Sequence, residues 1–183
     1  MPATDGTMRW SSFLIYNSEI NITLAGKYLP LIDVDCVIDE SWESTLNLKK
    51  DLTISDLLDI LDNISYDEEN KEENKERICK IYDRIVDLGI KHNTTRNRIK
   101  AWGENATILS KGGDFMSPNH MSYITLEGFR GQNQVYIEKC DNREGVLDFM
   151  SLLGVKIITE DNVPPQFDDP DPNTDISTRL LLT

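Results

Sequence analysis

The stretch "ILSKGGDFMSPNHM", residues 108–121, sets Lys111, Gly112, Gly113, Asp114 and His120 within one short polar run. A lysine beside paired glycines could hold a phosphate, with backbone N–H groups cradling the oxygens and the ammonium balancing their charge. A Walker loop needs Gly-x-x-x-x-Gly-Lys-Ser/Thr, whereas here Lys111 precedes the glycines and Asp114 follows them. The Asp114 carboxylate would repel a phosphate. The better reading is a tight hairpin turn, in which Gly112 and Gly113 supply positive φ while Phe115 and Met116 return to the core.

Other residues with metal or acid–base chemistry are sparse. The chain holds two histidines, His92 and His120, so no pair stands at ligand spacing and no triad forms with a serine. Asp33, Asp35 and Cys36 alternate in a way that suits the wet face of a strand better than a metal site. Asp169, Asp171, Asn173 and Asp175 imitate the oxygen ligands of a calcium loop. Thr174 and Leu180 stand where that loop requires Gly and Glu, and Pro170 and Pro172 stiffen it. Cys36, Cys79 and Cys140 are far apart with no C-x-x-C pair, which predicts buried reduced thiols rather than a disulfide framework or a zinc clip. No pair of carboxylates has a spacing that assigns acid and base roles. We therefore expect no catalytic, cofactor or metal residue in this chain.

One basic stretch stands apart. "KHNTTRNRIKAW" concentrates Lys91, Arg96, Arg98 and Lys100 beside Trp102, a combination that can hold a phosphate backbone or stack a base. Its alternative role is contact with an acidic partner, or with the chain's own acidic tract at 67–76. Three helices followed by a hairpin would also suit a winged-helix arrangement.

The composition limits the partners. With 32 acidic and 19 basic residues the formal charge of the 183-residue chain is -13, so its mean field repels nucleic acid and anionic lipid. No apolar run approaches the ~20 residues that span a bilayer, and the N-terminus lacks the pattern of a signal peptide. The chain reads as cytoplasmic, without a membrane partner.

Helices and strands are then placed by pattern. "SSFLIYNSEINITL" reads as a hairpin or two short strands around Asn17-Ser18-Glu19, within a β-like arm over 1–40. "LIDVDCVID" follows as a half-exposed strand or an extended linker. Thr53 and Asp56 have capping-box spacing, and Ile54, Leu57, Leu58 and Leu61 predict a helix over 54–64. A second helix starts near Glu73, carries Ile78, Ile81, Tyr82, Ile85 and Leu88 on one face, and ends at Gly89. A basic link leads to two short strands around Gly112-Gly113, with the second resuming near Met121 after Pro118. Asp141 and Glu144 announce a third helix with Val146, Leu147, Met150 and Leu153 inward, ending at Gly154. "VKIIT" makes a last strand. The expected class is α+β, with about three main helices and small antiparallel strands over 41–162, then an acidic proline-rich tail over 163–183.

"LTISDLLDILDNIS", "ICKIYDRIVDLG", "ILSKGGDFMSPNHMSYITLEGF" and "GVLDFMSLLGVKII", in that order, resemble a segment of sacsin-like and NO VEIN-like proteins. That segment lies downstream of a histidine-kinase-type (GHKL) ATPase domain. Ile81 and Tyr82, then Phe115, Ser117 and Pro118, then Leu153, Gly154 and Val155 carry the likeness, which covers about residues 28–162. It implies a scaffold or protein-interaction module in a larger chaperone-like or regulatory protein. ATP would belong to the upstream domain and not to this segment. The resemblance also implies that Met1 is an internal start and that "ISTRLLLT" runs on into further structure. Partners would be neighbouring domains or other proteins, met through Trp42, Trp102 and Phe129 as candidate contact aromatics. The alternative is a nucleic-acid-binding module using residues 91–102.

Overall fold

The computed structural model describes residues 1–10, 13–33, 45, 46, 48–67, 71–90, 92–125 and 133–159. The class is mixed α+β, with two-stranded sheets only among the described residues. The chain divides into two compact units, 1–88 and 89–183, a boundary that lies within the 41–162 segment. The tail over 163–183, with its calcium-like aspartates, lies outside the described residues, as do Cys36, Trp42, Lys91 and Phe129.

The N-terminal unit holds α1 (Glu19–Ala25), α2 (Ile54–Ser65) and α3 (Lys71–Asp87). The hairpin expected around Asn17-Ser18-Glu19 is instead the start of α1. Ser18 is its N-cap and accepts from Asn21 N, while buried Asn21 donates its side-chain amide to Tyr16 O and Lys50 O, both at 2.8 Å. Those distant acceptors hold a segment whose Ile and Thr content favours a strand. What remains of the β-like arm is a set of single bridges, Pro2 to Met8, Ala3 to Ile32, and Ile15 to both Leu31 and Lys49. They close a small cluster of Ala3, Leu14 and Ile32.

α2 begins with the expected box: the Thr53 side chain accepts from Asp56 N, and Asp56 Oδ2 accepts from Thr53 N at 2.8 Å. The shorter carboxylate therefore closes the box as Glu would. α2 packs against α3, burying Ile60 and Ile64 with Ile78, Ile81, Tyr82 and Ile85. Each such side chain contributes on the order of 2 kcal/mol relative to exposure. The outer face of α3 is laced by Glu73–Arg77 and Glu76–Lys80 pairs at i,i+4.

The C-terminal unit contains α4 (Asn93–Gly103), β1 (Ile108–Leu109), β2 (Phe115–Met116), a 3-10 turn (Pro118–His120), β3 (Ser122–Ile124), α5 (Arg143–Leu153) and β4 (Lys156–Ile158). β1 and β2 form the expected antiparallel hairpin, with Ile108 opposite Met116 and Leu109 opposite Phe115, but of the two turn glycines expected to take positive φ Gly113 does so, at 93°, and Gly112 does not. β3 and β4 pair in parallel, which departs from the all-antiparallel expectation. A parallel pair needs a crossover connection, and α5 lies between the two strands in sequence to supply it.

Five helices among the described residues replace the three expected. The basic link became α4, and Asn17-Ser18-Glu19 opened α1. The N-cap of α5 is Asn142, whose side chain accepts from Gly145 N, one residue beyond the expected Asp141. α2 and α3 fall in one unit, while the hairpin falls with α4 and α5 in the other.

α5 stops at Gly154, whose φ of 97° and ψ of 10° are left-handed and whose N–H reaches Met150 O and Ser151 O. A Cβ there would also collide with the Asn119 side chain. Gly154→Ala is expected to lower stability by about 1–2 kcal/mol from the backbone alone. Urea denaturation of both proteins checks this, and an unchanged midpoint would contradict the assignment.

Candidate functional site

α4 presents the basic residues as a helix rather than a link. Ile99 and Gly103 are buried, and Trp102 is half-buried. Gly103 is where α4 comes closest to α5, because a Cβ would stand 2.9 Å from Leu153 Cδ2 and 3.4 Å from its Cα. With this edge turned inward, Arg96, Arg98 and Lys100 are exposed. Arg96 and Lys100 are one turn apart on the same side, whereas Arg98 lies about 200° round from Arg96. The helix thus brings two of the three cations together and holds the third away from them. Among the described residues no ion pair engages any of the three. Trp102, beside them, has an interaction partner within the chain.

The opening stretch is used internally. Ser110 N donates to Asp114 O, and Asp114 N donates to the Ser110 hydroxyl at 3.1 Å, which closes the Gly112-Gly113 turn. Lys111 Nζ lies 3.0 Å from Glu138 Oε1. A lysine paired with a carboxylate, beside the Asp114 carboxylate, is a poor phosphate grip. His92 precedes α4 without a capping bond from its side chain, and His120 is exposed in the 3-10 turn. Cys79 and Cys140 are buried thiols outside any disulfide. Among the described residues no group of three or more His, Cys, Asp or Glu is placed to hold a metal ion, and no helix is long and apolar enough to cross a membrane.

The most concentrated polar arrangement was not visible in the sequence. Tyr28, just beyond α1, donates its hydroxyl to Asp67 Oδ2 at 2.5 Å and stands 2.9 Å from Asn74 Oδ1. Lys27 Nζ lies 2.8 Å from the same Asp67 oxygen. Arg77 donates to Thr23 O, to Asn74 Oδ1 and to Glu73 Oε1, and its guanidinium lies 5.6 Å from the Tyr28 ring centroid. Gly26 makes room for it: φ is 52°, and a Cβ would stand 2.7 Å from Arg77 Cζ. A phenol has one proton, so it cannot donate to both oxygens. Its proton goes to Asp67, while Asn74 Oδ1 is held by Arg77 and Asn74 Nδ2 is buried without a partner among the described residues.

Burial is the main force that pushes the Tyr28 phenol up to about 12, reinforced by its hydrogen bond to Asp67. It therefore holds its proton at neutral pH and is unsuited to act as a base. What this cluster does is tie α1 to α2 and α3.

Compared with protein-family models, curated proteins and solved structures, the chain matches none.

A second feature emerges from solvent exposure. Met8, Trp10, Phe13, Ile20, Ile22 and Tyr66 are large hydrophobic residues left 51–85% exposed, and all lie in the N-terminal unit. Their types read as core in the sequence, and only the fold turns them outward. The expected contact aromatics are different: Trp102 is half-buried, and Trp42 and Phe129 lie outside the described residues.

The phenol gives a direct test. Because its folded pKa is raised, the neutral Tyr28 stabilises the fold fully below about pH 10, and that contribution is lost as pH rises from 10 to about 12. Spectrophotometric titration should include a late component from Tyr28, and Tyr28→Phe should diminish the late absorbance change by one tyrosine. The same substitution should cost about 1 kcal/mol in urea denaturation for its lost hydrogen bond. A Tyr28→Phe protein with an unaltered high-pH titration would show that the late phenol is elsewhere.

Proposed function

We propose that this chain is a non-catalytic scaffold or protein-interaction module. The observation that carries the reading is the set of exposed hydrophobic residues on the N-terminal unit, among them Tyr66 at 85%, Trp10 at 80% and Met8 at 77%. Large apolar side chains turned to water mark surfaces that bind other proteins, and Trp, Phe and Met are enriched there. The polar groups best placed for chemistry, around Tyr28 and Asp67, are occupied with one another. The likeness to sacsin-like and NO VEIN-like proteins supports a place beside an ATPase domain in a longer protein.

Two measurements test this. The purified chain should hydrolyse no ATP above buffer; turnover abolished by a single substitution in the chain would sink the reading. Cross-linking in source cells should join the chain to protein partners, and Trp10→Ser with Phe13→Ser should reduce those products severalfold without lowering the melting temperature. Exposed positions tolerate such changes within about 0.5 kcal/mol.

One observation favours nucleic-acid contact by α4 as a second reading. Residues 89–159 hold 9 basic against 7 acidic residues, in a chain whose total is -13, and Arg96, Arg98 and Lys100 are exposed. That reading expects single-stranded RNA or DNA to bind at low salt, with affinity falling severalfold in Arg96→Ala/Arg98→Ala and steeply with added salt. Filter binding that detects no complex at low ionic strength removes it.

A further inference from the structure

Of the six tyrosines in the chain, one stands clear of the fold. Tyr66 is 85% exposed, whereas Tyr82 and Tyr136 are buried and Tyr16, Tyr28 and Tyr123 are half-buried. Its position accounts for the difference. α2 ends at Ser65, and Tyr66 follows as its C-cap, past the apolar face on which Ile60, Leu61 and Ile64 are buried. An enzyme that acts on a tyrosine oxygen must take that side chain into a cleft of its own. In the folded chain Tyr66 meets that demand best.

The charge near Tyr66 narrows the class of enzyme. Asp62 lies one helical turn before it, exposed Asp59 two turns before it, and Asp67 directly after it. The last turn of α2 carries no basic residue, and the unit 1–88 holds 19 acidic against 9 basic residues. A substrate cleft lined by lysine or arginine is drawn to such a segment, and an acidic cleft is repelled.

We propose that Tyr66 is a phosphorylation site for a tyrosine kinase that prefers acidic substrates, and that the phosphate loosens the junction holding α1. In the transfer the Tyr66 hydroxyl oxygen attacks the γ-phosphorus of ATP bound to the kinase. The bond from that phosphorus to the β–γ bridging oxygen breaks, ADP leaves, and the phenolic proton passes to the kinase's catalytic carboxylate. The inference goes beyond the protein-interaction reading and does not depend on Trp10 or Phe13.

The effect on the fold follows from where the charge arrives. A phosphate brings about -1.5 to -2 charges at neutral pH. Tyr66 caps the C-terminal end of α2, the negative end of its dipole, where no basic side chain of the last turn offsets the addition. The next residue is Asp67, which accepts from the Tyr28 hydroxyl and pairs with Lys27. Lys27 is itself 56% exposed, so the new dianion competes with Asp67 for its ammonium. Both effects weaken the hold of the α2 end on the segment that follows α1.

The test has two arms. The full chain is incubated with a purified acid-preferring tyrosine kinase and Mg-ATP, and the chain is also recovered from source cells treated with orthovanadate. Peptide mass spectrometry should place one phosphoryl group on Tyr66 in both, removable by a tyrosine phosphatase and absent from Tyr66→Phe. Amide hydrogen exchange of the phosphorylated chain should be severalfold faster over 19–25 and 62–67 than in the unmodified chain. No phosphate on Tyr66 in either arm, phosphate on another tyrosine instead, or an adduct that resists the phosphatase, as a sulfate ester would, overturns the site. Phosphorylation with unchanged exchange overturns the loosening. Cross-links that ignore Trp10 and Phe13 would remove the interaction reading while leaving a phosphorylated Tyr66 in place.

Discussion

The N-terminal unit depends on the anchoring of α1, a helix of seven residues. A segment of that length cannot hold itself helical in water, because nucleation costs more than its few internal hydrogen bonds return. Its stability must come from contacts distant in the chain. Asn21 supplies them from within, and Arg77, reaching Thr23 O, supplies them from α3. Tyr28 completes the hold by placing its hydroxyl between Asp67 and Asn74. Gly26 is required because the guanidinium occupies the space of its missing Cβ. The polar junction thus holds α1 against α2 and α3.

The two units differ in charge as much as in architecture. The N-terminal unit has 19 acidic and 9 basic residues, whereas residues 89–159 have 9 basic and 7 acidic. A net charge of -13 averaged over the chain conceals this, and an argument from the mean field alone excludes too much. The field near a surface is set within about 10 Å at ordinary salt. Each unit therefore has its own electrostatic preference, acidic around the exposed hydrophobic residues and locally basic along α4.

Much of the fold was legible where structure is determined locally. Thr53 with Asp56 specified the start of α2, Gly154 the end of α5, and Gly112-Gly113 the hairpin, since each acts through its own backbone and close neighbours. α1 was misread because Ile20, Ile22 and Thr23 favour strands, while the side chains that hold the helix lie far along the sequence. α4 was overlooked because only Ile99 and Gly103 are buried in it, too few apolar positions to display a helical period. The Tyr28 network joins residues 28, 67, 74 and 77, a set with no characteristic spacing. The exposed surface was illegible for a related reason: Met8, Trp10 and Phe13 have core-type side chains, and residue type does not record which way a side chain faces.

Several of the polar groups that the sequence singles out are engaged with one another. A catalytic site needs a titratable group held near its working pKa and left open to substrate. Here the Tyr28 phenol is protonated and engaged, Lys111 is paired with Glu138, and the Ser110 hydroxyl closes a turn. The side chains left facing water among the described residues include large hydrophobic residues in one unit and cations without an ion pair in the other. Both release free energy when covered by a complementary surface, by burying apolar area or by neutralising charge. Because Arg96 and Lys100 share one side of α4 while Arg98 faces away, the basic unit could engage fewer phosphates at once than its count of cations suggests.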